Sequence, residues 1–144
     1  MTSANETQGL DHLQVKILIV DDSSDLRVLL ARLLKNQGYK TFEAKNGKVA
    51  LDELKAGLQG HRQPDLILLD SEMEVMNGRD FLLELEKVLP EFFAMVLVVG
   101  LSGLDKFTHP KIYRSLRKPV DLERLITVIA AALASKVNKI DGAL

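Results

Sequence analysis

The sequence contains no cysteine and no tryptophan, and its other aromatic residues are two tyrosines and five phenylalanines. The absence of cysteine excludes disulfide bonds and thiol chemistry, and it is consistent with a reducing compartment. The scarcity of aromatic side chains argues against a surface that stacks nucleic-acid bases. Lys and Arg (19) nearly balance Asp and Glu (20), so the formal net charge of -1 offers no basic footprint for nucleic acid or an anionic membrane.

Long apolar runs are also missing. None approaches the roughly 20 residues of a membrane-spanning helix, and the polar N-terminus lacks the hydrophobic region of a signal peptide. A chain of 144 residues can form one domain with a single core. We therefore expect one globular domain in the cytoplasm, covering residues 14–136. Residues 1–13 are predicted to be a disordered tail because they are polar without periodicity, and residues 137–144 a frayed C-terminal tail.

Two short apolar runs that end in aspartate organise the rest of the pattern. The run Leu66–Leu69 ends at Asp70, and the run Ile17–Val20 ends at Asp21 and Asp22. Such runs are typical of strands buried on both faces of a parallel sheet. Because the carboxyl ends of these strands form the ligand-binding edge of an open α/β sheet, we expect the carboxylates to meet there. Carboxylates brought together repel one another and raise their own pKa values unless a cation joins them.

The remaining sequence alternates between further strands and amphipathic helices. Three more strands are predicted at 39–44, 95–99 and 112–117, and the first of them is an edge strand. Pro90 is predicted to close the third helix. The candidate helix caps are Ser23 or Ser24, Asn77 and Asp121, and Asn46-Gly47 is predicted to turn the chain into the second helix. This alternation predicts a three-layer α/β/α sandwich around a five-stranded parallel sheet. The connection 104–111 is too short for a full helix and two loops, so the fourth helix region is predicted to be shortened.

The residues at the strand ends resemble those of the receiver domain of two-component response regulators. The matching motifs, in chain order, are Val20-Asp21-Asp22, Leu69-Asp70, Met76-Asn77-Gly78, Ser102-Gly103 and Lys118-Pro119. Each motif alone is weak, but this order of motifs at strand ends across about residues 15–133 is specific. The resemblance implies a flavodoxin-like sheet of strand order 2-1-3-4-5, and a cis peptide bond before Pro119.

The resemblance to receiver domains also implies a function. A receiver takes a phosphoryl group from a phosphohistidine, here onto Asp70, with Lys118 and Ser102 expected to contact that group. The expected partners are a sensor histidine kinase or a histidine phosphotransfer protein and a downstream protein target, with no direct contact to nucleic acid or membrane. We expect no output domain after the last predicted helix, so the chain is expected to be a stand-alone receiver or a piece of a larger regulator. A homodimer through that helix stays open. The chain is not expected to be an enzyme, beyond catalysing its own phosphorylation and dephosphorylation.

A metal site is expected beside the phosphoacceptor. Asp21, Asp22 and Asp70 are the candidate carboxylate ligands, and the resemblance adds the backbone carbonyl of Glu72. These oxygen donors suit Mg²⁺ or Mn²⁺, and Mg²⁺ keeps several water ligands of its own.

Two positions depart from the family pattern at the switch region. Gly100 competes with Ser102 for the position of the switch hydroxyl, and counting along the chain does not separate them. The aromatic residue that usually precedes the lysine by three positions falls on Ser115. Tyr113 lies two residues earlier and is predicted to share the strand face of Ser115 by period-two counting.

The loop after Asp70 departs as well, because Glu74 stands where the family has proline and Glu72 adds a second negative charge. These charges leave open an alternative, a receiver fold that binds partners without being phosphorylated. A phosphatase of the haloacid dehalogenase type is a more remote alternative. It requires a second aspartate two residues after the nucleophile, where this chain has Glu72.

Overall fold

A computed structural model describes residues 14–60, 62–103 and 106–142. A parallel sheet forms its centre, with strands β1 (Lys16–Val20), β2 (Lys40–Ala44), β3 (Leu66–Asp70), β4 (Leu97–Ser102) and β5 (Ile112–Arg117). The strand order is β2-β1-β3-β4-β5, and each neighbouring pair is parallel. All residues of β1 and β3 are buried. The predicted order and the edge position of β2 are therefore confirmed.

Helices cover both faces of this sheet. They are α1 (Ser24–Asn36), α2 (Gly47–Lys55), α3 (Gly78–Val88), the short α4 (Pro90–Met95) and α5 (Leu122–Gly142). Helices α1 and α5 pack on the face that carries Ile17, Leu66 and Leu101. Helices α2, α3 and α4 pack on the opposite face, against Leu18 and Ile67. These two apolar layers confirm the three-layer sandwich.

Four helix caps lie close behind the strands: three were predicted as caps, and the fourth, Asn46, lies in the predicted turn before the second helix. Each cap side chain accepts a hydrogen bond from the backbone N–H three residues later, which satisfies a donor that the first turn leaves unpaired. The four donor–acceptor pairs are Leu26 N–H to Ser23 at 3.2 Å, Val49 to Asn46 at 2.9 Å, Asp80 to Asn77 at 2.9 Å and Arg124 to Asp121 at 3.1 Å. Capping therefore fixes where the chain leaves the carboxyl edge of the sheet and turns into a helix.

The third helix ends at Val88, before Pro90, as predicted, but the structure differs from the prediction in three other places. Pro90 begins the separate helix α4, because proline at a first helical position loses no hydrogen bond. Met95 ends that helix and is 66% exposed, so β4 begins at Leu97 and not at residue 95. Helix α5 continues to Gly142, past the predicted start of a frayed tail at residue 137. The predicted tail 1–13 and the last two residues lie outside the described residues. Across the described ranges, no helix combines the length and apolarity needed to cross a membrane.

The connection between β4 and β5 is short, as predicted. Its described residues, 103 and 106–111, form no helix. Phe107 takes the place of a packing helix: it is 4% exposed and belongs to the core on the α2–α3 face. Its ring lies so close to two glycines that an added Cβ would come within 2.8 Å at Gly78 and 3.0 Å at Gly100. Arg79 also donates a hydrogen bond to the carbonyl of Thr108 at 3.3 Å, so α3 holds this connection in place.

Candidate acidic site at the carboxyl edge of the sheet

The carboxylates of Asp21, Asp22 and Asp70 meet at the carboxyl edge of the sheet. Val20 pairs with Leu69, so Asp21 and Asp70 leave the sheet at the same level. One oxygen from each of the three aspartates lies within 4.8 Å of the other two. Asp21 is 0% exposed and Asp70 2% exposed, whereas Asp22 faces solvent. The convergence expected from the two strand ends is therefore present.

Lys118 joins this cluster from the end of β5. Its Nζ lies 2.9 Å from Oδ2 of Asp21 and 3.3 Å from Oδ2 of Asp70. The Lys118 N–H donates to the carbonyl of Ser102 at 2.7 Å, and a cis peptide bond joins Lys118 to Pro119, as predicted. One ammonium group thus stands against three carboxylates, and the cluster keeps an excess of negative charge.

Backbone N–H groups orient the buried carboxylates, and the guanidinium group of Arg27 holds the backbone beside one of them. Oδ1 of Asp21 accepts the N–H of Ser23 at 2.9 Å, and Oδ1 of Asp70 accepts the N–H of Glu72 at 3.3 Å. Arg27 donates through Nη1 to the carbonyl of Asp21 at 2.7 Å and lies 3.4 Å from Oε1 of Glu43. Sequence reasoning missed Arg27. Its position in the first turn of the helix after β1 is the signal that could have found it.

The ionisation of the site follows from burial and from neighbouring charge. The pKa of Asp70 is raised from 3.8 to about 6: burial is the largest cause, the Asp21 carboxylate adds to it, and Lys118 opposes both effects. Burial lowers the pKa of Lys118, but its hydrogen bond to Asp21 and the charges of both aspartates outweigh that effect, so the pKa is raised overall. Lys118 therefore stays charged at neutral pH, and Asp70 is the group whose charge depends on what else binds.

The register of β4 separates the two candidates for the switch hydroxyl. Asp70 pairs with Leu101, so Ser102 lies one residue beyond that pair, at the edge where the acidic cluster sits. Gly100 pairs with Leu69, one residue further into the sheet. Phe107 and the hydroxyl of Ser115 cover its α-carbon. Ser102 is buried and is the residue that the geometry favours.

The prediction for Tyr113 was wrong. Val98 pairs with Ile112 and the next residue, Val99, pairs with Arg114, so Tyr113 is an extra residue in β5. A bulge of this kind interrupts the alternation of side chains, and period-two counting across it fails. Tyr113 is partly exposed and does not replace the aromatic residue that the family has at the position of Ser115.

The loop between β3 and α3 closes tightly beneath the cluster. Gly78 donates its N–H to the carbonyl of Ser71 at 3.1 Å, and an added Cβ on Gly78 would lie 2.5 Å from the carbonyl oxygen of Asp70. Only glycine fits there.

The same loop is strained and acidic. Val75 has φ +70° and is 81% exposed, a strained conformation for a β-branched residue. Glu72 and Glu74 are both exposed, so the loop presents negative charge to solvent beside Asp70.

A doubly wound parallel sheet with three aspartates and a lysine at its carboxyl edge defines a flavodoxin-like α/β protein with a polar ligand site at the usual place. The sequence matches the family described as response regulator receiver domain over residues 17–130. The chain belongs to this family, which confirms the resemblance seen in the strand-end motifs. The match covers both strand ends of the acidic cluster and Lys118.

Individual relatives agree with this assignment. The chain is 33% identical over 126 residues to sporulation initiation phosphotransferase F of Bacillus subtilis (strain 168), covering 85% of this chain and 97% of that protein. It is 29% identical over 134 residues to transcriptional regulatory protein GlrR of Escherichia coli (strain K12), covering 92% of this chain but only 29% of that protein. The solved structure of a CheY-like response regulator receiver domain protein from Methanospirillum hungatei JF-1 matches with a TM-score of 0.73 at 22% identity. That match covers 85% of this chain and 97% of the other, and it supports the fold.

Proposed function

We propose that the chain is a phosphoacceptor in a two-component phosphorelay, taking a phosphoryl group onto Asp70 from a phosphohistidine of a sensor histidine kinase or a histidine phosphotransfer protein. The observation that carries this proposal is the convergence of Asp21, Asp22 and Asp70 around one lysine. A helix cap needs no second carboxylate and no cation. A surface ion pair does not bury two carboxylates side by side. The chain's likeness over nearly the whole length of a phosphotransferase supports the same role.

The chain's own groups account for the transfer. A carboxylate oxygen of Asp70 attacks phosphorus, the P–N bond to the donor imidazole breaks, and the imidazole leaves with the bonding electron pair. At neutral pH Asp70 is mostly ionised, because the raised pKa of about 6 lies below 7. Nζ of Lys118 lies 3.3 Å from Oδ2 of Asp70, so this ammonium group would pair with the negative charge of the phosphoryl group on Asp70. Ser102 would donate its hydroxyl to the phosphoryl group from the end of β4.

The acidic cluster fits a hard divalent cation. Three carboxylates opposed by one ammonium group retain negative charge, and carboxylate oxygens are the donors that Mg²⁺ and Mn²⁺ prefer. Asp21, Asp22 and Asp70 would hold the ion, together with the backbone carbonyl of Glu72. When bound, the ion offsets the negative charge that would otherwise repel an incoming phosphoryl group.

The output would be a change at the β4–β5 edge. An acyl phosphate adds nearly two negative charges, next to Lys118 and to the buried Ser102. Because Ser102 accepts the Lys118 N–H through its carbonyl, a shift of either residue is transmitted to the other strand end. A downstream protein target would recognise this edge. We propose no turnover of a separate substrate: the only reactions would be formation and hydrolysis of the chain's own aspartyl phosphate.

Intact-mass spectrometry after incubation with phosphoramidate and Mg²⁺ tests the proposal. Phosphoramidate presents the same P–N bond as phosphohistidine, so the wild type should gain the mass of one phosphoryl group, and chelation of Mg²⁺ should abolish the gain. Asp70→Asn should gain nothing. The matched control Asp52→Asn removes an exposed carboxylate that pairs with Lys48 in α2, and it should react like the wild type.

Failure of the wild type to gain mass would refute the proposal. That result would favour the alternative of a receiver fold that binds partners without phosphorylation. The exposed Glu72 and Glu74 motivate this alternative, because they place negative charge where an anionic donor would approach.

A further inference from the structure

An open cavity lies on the face of β4 and β5 where the described part of the connection forms no helix. It has a volume of about 510 Å³, and Ser102 lines it at the end nearest the acidic cluster. Phe107 and Ile112 provide its apolar lining. Volumes of roughly 300–1,000 Å³ are typical of sites that take small organic ligands. Its size alone therefore admits a ligand, and its lining decides what kind.

Basic and imidazole side chains dominate the polar lining. Lys106, His109, Arg114 and Arg117 all line the cavity, and no Asp or Glu is among its described lining residues. His109 Nδ1 accepts the N–H of Lys111 at 2.9 Å, which leaves Nε2 as the protonated nitrogen and a donor. Lys106 belongs to the connection and Arg114 to β5, and both are exposed lining residues. The described lining residues thus carry positive charge, the opposite of the acidic cluster beyond Ser102.

A buried hydroxyl in the same cavity lacks a partner. Ser115 Oγ is buried and, within the described residues, forms no hydrogen bond. It lies over Gly100, 2.8 Å from where a Cβ would be, and Ser115 is a lining residue of the cavity. An unsatisfied buried hydroxyl is destabilising, and a ligand oxygen would recover that loss once the Ser115 side chain turns its hydroxyl toward the cavity. This observation is independent of the charge pattern and also points to an acceptor-bearing ligand.

We propose that this cavity binds a small organic anion, with an apolar ring packed on Phe107 and Ile112 and phosphate or carboxylate oxygens facing Lys106, Arg114 and Ser115. Oxyanions suit these donors because charge-assisted hydrogen bonds are the stronger kind. The apolar lining suits the ring, and the basic lining suits the charge. The site is distinct from the acidic cluster, which would repel such a ligand, and binding there depends on neither Asp70 nor a metal ion.

Calorimetric titrations with ATP, benzene-1,2-dicarboxylate and adenosine test the proposal, in EDTA and at low salt. ATP carries an aromatic ring and phosphates, and benzene-1,2-dicarboxylate carries an aromatic ring and carboxylates. Adenosine carries an aromatic ring without a charge. We expect at least one anion to bind and adenosine to bind much more weakly. In the double variant Lys106→Gln/Arg114→Gln the affinity for that anion should fall at least about tenfold, which corresponds to about 1.4 kcal/mol, because both charge-assisted hydrogen bonds are lost.

Lys87→Gln is the matched control, because Lys87 is an exposed cation of α3 outside the cavity. It should leave the affinity unchanged within about twofold, and urea unfolding should show that all variants remain folded. Amide shifts in nuclear magnetic resonance spectra of the complex should concentrate at Arg114 and Ser115. Binding by ATP alone or by the dicarboxylate alone supports the proposal and identifies the phosphate or the carboxylate source. Absence of binding by both anions, equal affinity for adenosine, or equal losses in the double variant and the control would overturn it.

Discussion

Replacing Asp70 with asparagine should stabilise the metal-free protein at neutral pH. The carboxyl group is 2% exposed, and burial together with Asp21 raises its pKa from 3.8 to about 6. A shift of about two pKa units, at 1.36 kcal/mol each, corresponds to about 3 kcal/mol. Asparagine keeps the size of the side chain and removes the charge that causes this cost. It also leaves Lys118 its shorter contact, the one to Asp21 at 2.9 Å.

The sign of the pH dependence follows from the direction of the shift. Because the folded pKa is raised, the folded protein holds the proton more tightly than the unfolded chain. The stabilisation from this proton is complete below the unfolded value near 3.8 and is lost as the pH rises through about 6. The advantage of Asp70→Asn over the wild type should therefore be small near pH 4 and close to its full size near about pH 8.

Urea unfolding in EDTA at several pH values measures this difference as a change in the free energy of unfolding. The control Asp52→Asn removes an exposed carboxylate paired with Lys48 at 3.3 Å, and it should change stability by less than about 1 kcal/mol at every pH. Added Mg²⁺ should favour the wild type instead, by about 2.7 kcal/mol at one hundred times its dissociation constant. If Asp70→Asn gave no gain at pH 8, or the same gain at pH 4, the electrostatic account of the site would be refuted.

Three further substitutions test the packing around the site by the same unfolding measurement. Val75→Gly should stabilise the protein by about 1 kcal/mol, because it relieves a left-handed backbone at φ +70°. The same change at the exposed helical Val28 should destabilise the protein, and a change of the same sign in both variants would contradict the strain argument. Phe107→Ala should cost about 3–5 kcal/mol, as expected for a buried ring, and a loss below about 1 kcal/mol would mean that the ring does not fill the place of a helix. Gly78→Ala should destabilise the protein by about 1–3 kcal/mol, because its Cβ would lie 2.5 Å from the Asp70 carbonyl oxygen. No change in stability would show that the loop backbone can shift to make room for the Cβ.

The sequence by itself determined the features that depend on neighbouring residues and on general rules of chain geometry. The apolar runs before Asp21 and Asp70 predicted buried parallel strands, because nothing polar interrupts either run. The rule that parallel strands end at one edge then predicted that these aspartates meet. Helix caps such as Asn77 and Asp121 were predictable for the same reason, since a cap acts on its own first turn.

Only the tertiary structure decided the features that join residues distant in the chain. Arg27 reaches the carbonyl of Asp21 and Glu43 because β1 and β2 lie side by side. Ser102 rather than Gly100 stands at the acidic edge because of the register between β3 and β4. Phe107 replaces a helix because two glycines from separate elements leave room for its ring. The raised pKa of Asp70 has the same origin, since burial and a neighbouring carboxylate exist only once the strands have assembled.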